Sequence, residues 1–455
     1  MRTLLERAKG SALDIIANRG DSVSTITLLS PHTQQIRSLD FTDSTWADIQ
    51  RLSEIDSGPR PLLRTLKINM VEDFRSVGQL GHITLPSLPL FSNAVNLEEF
   101  VLRSQKGPFL NHFVFPNLTT FELSATLIWE EFQTSELLNF LEASPMLQTV
   151  SMKIIASILL DHAQRRVVVL PNVQTFSLVM DDGEPAYELA AQISCPSASH
   201  TSLIHEKNVD DITTDWDIQN IFPATASWNA IVHQYTRSPV EAISLEIKTP
   251  HDPVVSCTLT FQTSDATIIR LGLRISGDID DDEDFYVSFG QMVLGVFSES
   301  SRIIRDYPLV HNARRLHILH RISIWDPEEL ILMAVEVGKL FRSIGPLEEL
   351  ILRGCDLHSY LTPFLNVTEV SDADQLIAFP PIKGLTISHP SMVADKEECM
   401  AAIVELAKSQ HTLGVPFERV TVRARKLPTA MAEMLEPWAG VVDCREERYT
   451  QVHDE

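Results

Sequence analysis

The sequence is poor in positive charge. Across 455 residues, 37 lysines and arginines face 61 aspartates and glutamates, giving a formal net charge of −24. A field of that sign repels phosphate backbones and anionic headgroups, which excludes a general nucleic-acid or membrane-surface binder. Cysteine is scarce: Cys195, Cys257, Cys355, Cys399 and Cys444 are odd in number, scattered, and never in a C-x-x-C arrangement. This usage excludes a disulfide framework and reads as reduced thiols in a cytoplasmic or nuclear protein. Long apolar runs are missing. The longest candidate, residues 330–344, is broken by Glu336, Lys339 and Arg342, well short of the ~20 apolar residues of a membrane span. Arg2, Glu6 and Arg7 interrupt the stretch where a secretory signal needs apolar residues. The sequons at Asn117 and Asn366 are therefore read as chance occurrences.

Catalytic signatures are missing as well. There is no G-x-S-x-G, H-E-x-x-H, G-x-x-x-x-G-K-[ST] or G-x-G-x-x-G, so neither an enzyme nor a cofactor is expected. The acidic run from Asp278 to Asp284 offers alternate oxygens. Its sixth position is Glu283 where a calcium loop needs its turn glycine, and its twelfth is Phe289 where that loop needs a glutamate. A solvated acidic turn is the expectation there. His311, His317, His320, Cys355 and His358 match no zinc spacing. His317 and His320 fall on a predicted strand and so point to opposite faces. With His200 and His205, placed in a loop-rich stretch, they are expected to be surface or satisfied histidines.

What is present is a repeat. Apolar residues make up 44% and charged residues 22% of the chain, ordinary globular usage that can build a core. An apolar residue is followed three and then five positions later by two more, usually with proline just upstream, as in Pro61-Leu62-Leu63-Arg64-Thr65-Leu66-Lys67-Ile68 and Pro116-Asn117-Leu118-Thr119-Thr120-Phe121-Glu122-Leu123. The final two apolar positions alternate with polar ones, as a strand with one buried face requires. The first turns inward from the preceding loop. Proline at a strand entrance loses no ladder hydrogen bond. The markers Leu66, Phe100, Phe121, Val150 and Phe176 are spaced 34, 21, 29 and 26 residues apart, and Leu316, Leu350, Leu385, Val420 and Val442 by 34, 35, 35 and 22. These are irregular leucine-rich-repeat lengths.

Helical segments lie between the strands. Asp326-Pro327-Glu328-Glu329 opens one that Gly345-Pro346 ends, with Leu330, Met333, Val337, Leu340, Phe341 and Ile344 on one face. Another begins at Asp395, with Met400, Ile403, Val404 and Ala407 in a stripe, and a short one covers residues 135–141. The expected fold is α/β, a leucine-rich-repeat-like solenoid with parallel strands on the concave face and helices outside. Two stretches depart from the pattern. Residues 195–235 hold no repeat marker and are read as a loop-rich insertion or a degenerate unit. Residues 241–289 carry short alternating strands with short links, which favour local antiparallel pairing. The expected organisation is thus 1–190 N-terminal repeats, 191–290 an irregular, partly antiparallel middle section, and 291–455 C-terminal repeats of one continuous solenoid.

The stretch Leu5-Glu6-Arg7-Ala8-Lys9-Gly10-Ser11-Ala12-Leu13-Asp14-Ile15 resembles the segment that follows the F-box in the F-box/leucine-rich-repeat-like proteins of mushroom-forming fungi. The stretch from Leu137 to Met152, with Ala143-Ser144-Pro145-Met146-Leu147 at its centre, is similar to their most recurrent repeat. The resemblance implies the substrate-recognition part of an SCF-type ubiquitin ligase. Family members with the full pattern open on an F-box that docks a Skp-type adaptor, whereas this chain starts where that module should have ended. The expectation is either a first exon missing from the gene model or a paralogue that keeps only the recognition solenoid, a free-standing scaffold. A Skp-type adaptor is a partner only if an upstream F-box exists.

In such a solenoid the polar strand positions form a platform for another protein. Here they are Thr65, Lys67, Glu99, Arg103, Thr120, Glu122, Thr149, Ser151, Thr175 and Ser177, then Glu349, Arg353, Arg419, Thr421 and Arg423. Arg353, Arg419, Thr421, Arg423, Arg425 and Lys426 make a basic spot on an acidic protein and are the candidate protein-binding residues. An acidic peptide is a ligand that this spot suits.

Overall fold

The computed structural model describes residues 11–17, 30–44, 60–70, 91, 93–104, 110–126, 132–155, 158–159, 166–181, 183–208, 238–248, 254–276, 298, 300–302, 304–305, 310, 313–320, 336–341, 343–344, 347–354, 361, 382–388, 396–424 and 430–446. The chain divides into two units, one of residues 1–205 with 230–235, the other of residues 206–229 with 236–455. Each is a mixed α/β unit dominated by parallel strands.

The first unit contains β1 (Leu13–Ala17), β2 (Ile36–Ser44), β3 (Thr65–Met70), β4 (Glu99–Ser104), β5 (Thr120–Thr126), the two-residue β6 (Phe132–Gln133), β7 (Thr149–Ile155), the two-residue β8 (Ile158–Leu159) and β9 (Val168–Val169), β10 (Thr175–Met180), the two-residue β11 (Ile193–Ser194), and β12 (His200–Asn208), whose first six residues belong to it. One local pattern builds it. The N–H groups of Leu63, Leu97, Leu118, Leu147, Val173 and Ala198 donate to the carbonyls three residues back, at 3.0–3.4 Å. Both ends of each of these turns are buried. Pro61, Pro116, Pro145, Pro171 and Pro196 take the second position of a turn, where a fixed φ suits them. Where asparagine follows the proline its amide reaches back to the preceding turn: Asn117 donates to the Val95 carbonyl at 2.7 Å and Asn172 to that of Pro145 at 3.0 Å. The sequon at Asn117 thus has a structural use.

The residue before each strand then ties the units together. The carbonyl of Arg64 accepts from both Glu98 N–H and Glu99 N–H, that of Glu98 from Thr119 and Thr120, that of Thr119 from Gln148 and Thr149, that of Gln148 from Gln174 and Thr175, and that of Gln174 from Ser199 and His200. From this start β3, β4, β5, β7, β10 and β12 pair in parallel without a register shift. The repeat markers become register partners. Leu66, Phe100, Phe121, Val150 and Phe176 form one buried row, and Ile68, Leu102, Leu123, Met152, Leu178 and Leu203 the next. Phe100 stands in an aromatic cluster with Phe113, Phe115, Phe121 and Phe140 at ring separations of 5.0, 5.1, 5.9 and 6.0 Å. Phe140 comes from α1 (Thr134–Glu142), the short helix expected from the sequence. A second helix, α2 (Gly183–Ala191), precedes β11.

Of the two readings of residues 195–235, a loop-rich insertion or a degenerate unit, the second holds at the start of the stretch. Residues 195–208 form a complete further unit, with the turn from Cys195 to Ala198 and β12 in register with β10. Its marker position holds Thr201, 2% exposed, and its inward-turning position holds Ala198. Two small residues where the pattern expects large apolar ones hide the repeat. The rest of that stretch lies outside the described residues.

The second unit contains β13 (Val240–Lys248), β14 (Val254–Thr263), β15 (Ile268–Ser276), β16 (Arg315–His320), β17 (Glu349–Arg353), β18 (Gly384–Ser388), β19 (Phe417–Ala424) and β20 (Ala439–Glu446). β13, β14 and β15 pair antiparallel. β13 then pairs in parallel with β16, and β16 through β20 continue in parallel. The strand expected at 285–289 and the acidic run at 278–284 lie outside the described residues. The same doubly accepting carbonyls recur at Arg314, Glu348 and Lys383, each bonded by two successive N–H groups of the next strand at 2.7–3.1 Å. Ile243, Leu316, Leu350, Leu385 and Val420 form a buried row, as do Leu245, Ile318, Leu352, Ile387 and Val422. β20 approaches so closely that a Cβ on Gly440 would lie 2.9 Å from the Glu418 carbonyl oxygen.

Two helices follow β18: α3 (Lys396–Thr412), which buries Met400, Ile403, Val404 and Ala407, and α4 (Met431–Leu435). Of the helix expected from Asp326, the described part starts at Glu336 and buries Val337, Leu340, Phe341 and Ile344. Among the described residues no helix is long and apolar enough to cross a membrane.

The hairpin joining β14 to β15 holds Ala266 at φ 66°, a left-handed conformation, closed by the Ala266 N–H donating to the Thr263 carbonyl at 3.0 Å. Ala266→Gly removes the Cβ from that strained position and is expected to raise stability by about 1 kcal/mol, read as an increase in urea midpoint at unchanged slope. Phe100→Ala empties the centre of the aromatic cluster. It should cost about 3–5 kcal/mol in the same measurement.

Candidate functional site

Alternation along each strand leaves a second, polar face. In the first unit it carries Thr65, Glu99, Thr120, Thr149 and Thr175 in one register row and Lys67, Val101, Glu122, Ser151 and Ser177 in the next. All the polar positions named from the sequence for this unit lie on this face. Its charges answer one another. Lys67 pairs with Glu99 at 3.3 Å and Arg103 with Glu122 at 3.1 Å, while the Thr65 hydroxyl donates to Glu99 at 3.2 Å. The result is a hydroxyl-rich face with balanced charge.

The corresponding face of the second unit is different. Its rows across β16–β20 read Arg315, Glu349, Gly384, Arg419, Val441, then His317, Ile351, Thr386, Thr421, Asp443, then Leu319, Arg353, Ser388, Arg423, Arg445. On these five strands five arginines stand with two carboxylates, Glu246 of β13 continues the third row beside Leu319, and Arg315 also lies 4.0 Å from Glu241. Glu349 pairs with Arg315 at 3.8 Å and accepts from the Thr386 hydroxyl at 3.5 Å, and Asp443 accepts from Arg445 at 2.9 Å. Of the candidate residues, Arg353 and Arg419 are exposed and Arg423 is half-buried, while Thr421 is only 6% exposed and offers little surface. Arg425 and Lys426 lie outside the described residues. Register brings Arg353 and Arg423 into one row and adds Ser388 and Arg445, which were not named from the sequence. Their signal was present, since each occupies the same position of its unit as Arg353.

At the strand entrances of this unit lies a cleft of about 1070 Å³. Val240, Leu347, Ile382, Val415 and Pro416 line it, beneath Glu241, Arg314, Glu348, Lys383 and Glu418. The charges alternate from strand to strand, with Arg314 3.6 Å from Glu348 and Lys383 3.4 Å from Glu418. Sequence reading missed this arrangement, although it is legible as one position per unit. Ser264 lines the cleft too, but neither an imidazole nor a thiol joins it there, so the lining offers charge recognition and no nucleophile–base pair.

The described histidines among the remaining candidates lie on strands. His205 is buried on β12 and its Nε2–H donates to the Asp181 carbonyl at 2.9 Å. His200 also lies on β12, so neither sits in a loop. His317 is half-buried; burial, then the positive charge of Arg353, push its pKa down while Glu246 opposes them, so the neutral ring is favoured. His311, Cys355 and His358 lie outside the described residues. Among the described residues no group of three or more histidine, cysteine, aspartate or glutamate side chains is placed to hold a metal ion. Cys195, Cys257 and Cys444 are unpaired thiols.

No protein-family model matches the chain, and no curated protein matches it.

Burial pushes the thiols of Cys195 and Cys257 up to about 12, so the reactive thiolate is nearly absent at neutral pH. Cys444 is half-buried, and its smaller rise comes from burial and then from Asp443. With a thiol-selective reagent on the native chain at pH 8, Cys444 should be modified first of these three. Peptide mapping should find Cys195 and Cys257 modified only after denaturation.

Proposed function

We propose that this chain is a non-enzymatic, leucine-rich-repeat-like protein-interaction solenoid, serving as the substrate-recognition part of an F-box protein in an SCF-type ubiquitin ligase. The observation that carries the interaction reading is the repeated unit. Turn, doubly accepting carbonyl and register-matched strand recur over marker spacings from 21 to 35 residues. A unit this short cannot bury its own apolar face, and stacking neighbours supplies the core. Strands then line a concave face and helices the outside, leaving an extended polar platform. The ligase assignment comes from the resemblance in residues 5–15 and 137–152. The three unpaired thiols favour the cytoplasm or nucleus.

Co-purification separates the two parts of this reading. A tagged chain, or a version carrying the coding sequence upstream of Met1, is expected to retain a Skp-type adaptor when the two are co-expressed. If neither retains it, the ligase assignment fails and the free-standing scaffold takes its place.

A further inference from the structure

The second unit ends on a strand edge whose residue order is self-complementary. We propose that two copies of this chain dock β20 against β20, antiparallel across a two-fold axis at Cys444, so that Asp443 of each copy faces Arg445 of the other.

Among the described residues β20 pairs with β19, and no strand pairs with its other side. Such an edge leaves a row of backbone N–H and C=O groups for another strand. The apolar face is unfinished there as well. Val420 and Val422 on β19 are fully buried, whereas their register partners Val442 and Cys444 are only half-buried. In a stacked array this is the surface that a further strand covers. The order of residues says which strand. Opposed side chains of an antiparallel pair share a face, so a two-fold axis perpendicular to the sheet continues the apolar face only when it passes through a residue. Centring it on Asp443 or on Arg445 opposes like charges. Centring it on Val441 or Val442 sets Asp443 against Ala439 or Val441. Centring it on Cys444 sets Asp443 against Arg445 twice and opposes the two thiols. Within one chain Arg445 donates to Asp443 through Nε at 2.9 Å, and its side chain, 67% exposed, keeps its Nη donors for a second carboxylate. The dimer thus gathers two aspartates and two arginines into a neutral cluster. A partner of another kind would need no such palindrome of charge, which is why a second copy is the occupant. Two copies at −24 each repel, but physiological salt screens this beyond ~8 Å and leaves the local pairs to decide. A seam one strand wide is small, so association depends on concentration.

Sedimentation velocity on the full chain at physiological salt, from low micromolar to hundreds of micromolar, should show monomer passing to dimer and no larger species. Alkylation of Cys444 should slow over the same range. Opposed residues of antiparallel strands have Cα atoms about 4.5–5.5 Å apart, within the span that a disulfide bridges. Diamide, which takes two hydrogens from a pair of thiols, should therefore join two chains, and peptide mapping should find Cys444 bonded to Cys444. Cys444→Ser should abolish that link and keep the dimer in sedimentation. Arg445→Asp and, separately, Asp443→Arg oppose like charges and should weaken dimerisation at least tenfold. Asp443→Arg with Arg445→Asp restores opposite charges across the axis and should restore the dimer. Unaltered circular dichroism and urea midpoints for these variants keep a folding defect from imitating the effect. A monomer at every concentration overturns the proposal. So does a dimer that neither single charge variant weakens, or one whose Cys444 thiols fail to join. Growth beyond dimer, as head-to-tail addition of strands would give, overturns it too. Adaptor capture uses none of these residues or readouts, so its failure counts against the ligase assignment alone.

Discussion

The structure depends on one backbone atom per unit, the carbonyl oxygen just ahead of each strand. In Arg64, Glu98, Thr119, Gln148 and Gln174, and again in Arg314, Glu348 and Lys383, that oxygen accepts two successive N–H groups from the following unit. A single such bond adds only about 0.5–1.5 kcal/mol net, but a buried donor left without a partner costs more. Paired donors on one acceptor therefore select a single starting register. Slipping by one residue would break both bonds and turn the whole apolar row to the wrong face. Segments between strands are then free to vary in length, because closing a longer loop costs little more than closing a short one. This is why marker spacings from 21 to 34 residues coexist with shift-free pairing from β3 to β12.

Fixed register has an electrostatic consequence. Equivalent positions of successive units are stacked ~4.8 Å apart, closer than the ~8 Å over which physiological salt screens charge. Like charges repeated at one position repel unless offset. At the strand entrances of the second unit they alternate from Glu241 through Glu418, and on the polar face of the first unit Lys67 and Glu99, or Arg103 and Glu122, answer each other across strands. Such exposed pairs each contribute little stability, so their value lies in avoiding repulsion.

The same logic decides how much was legible beforehand. Units with a large apolar residue at all three positions, such as Leu118, Phe121 and Leu123, could be read directly, because burial and period 2 leave a strong pattern. So could the antiparallel pairing of β13, β14 and β15, whose links are too short for a crossover. The unit at 195–208 could not, since Ala198 and Thr201 satisfy its packing without leaving an apolar signature. Of the candidate contact residues, Arg353, Arg419 and Arg423 fell on one face as strand alternation implies. Thr421 shares the face but is buried, which depends on neighbouring side chains that alternation does not describe. Ser388 and Arg445 stand three residues after the markers Leu385 and Val442, as Arg353 does after Leu350, so the repeat frame alone carried their signal and the pairing register made it plain.

On the proposed interaction reading, a face assembled this way receives a polypeptide laid along it. Its polar groups sit on rigid strands in straight rows, with long reach and little depth, whereas acid–base or nucleophilic chemistry needs groups converging on one point within hydrogen-bond distance. What distinguishes one stretch of the face from another is then its sum of charge.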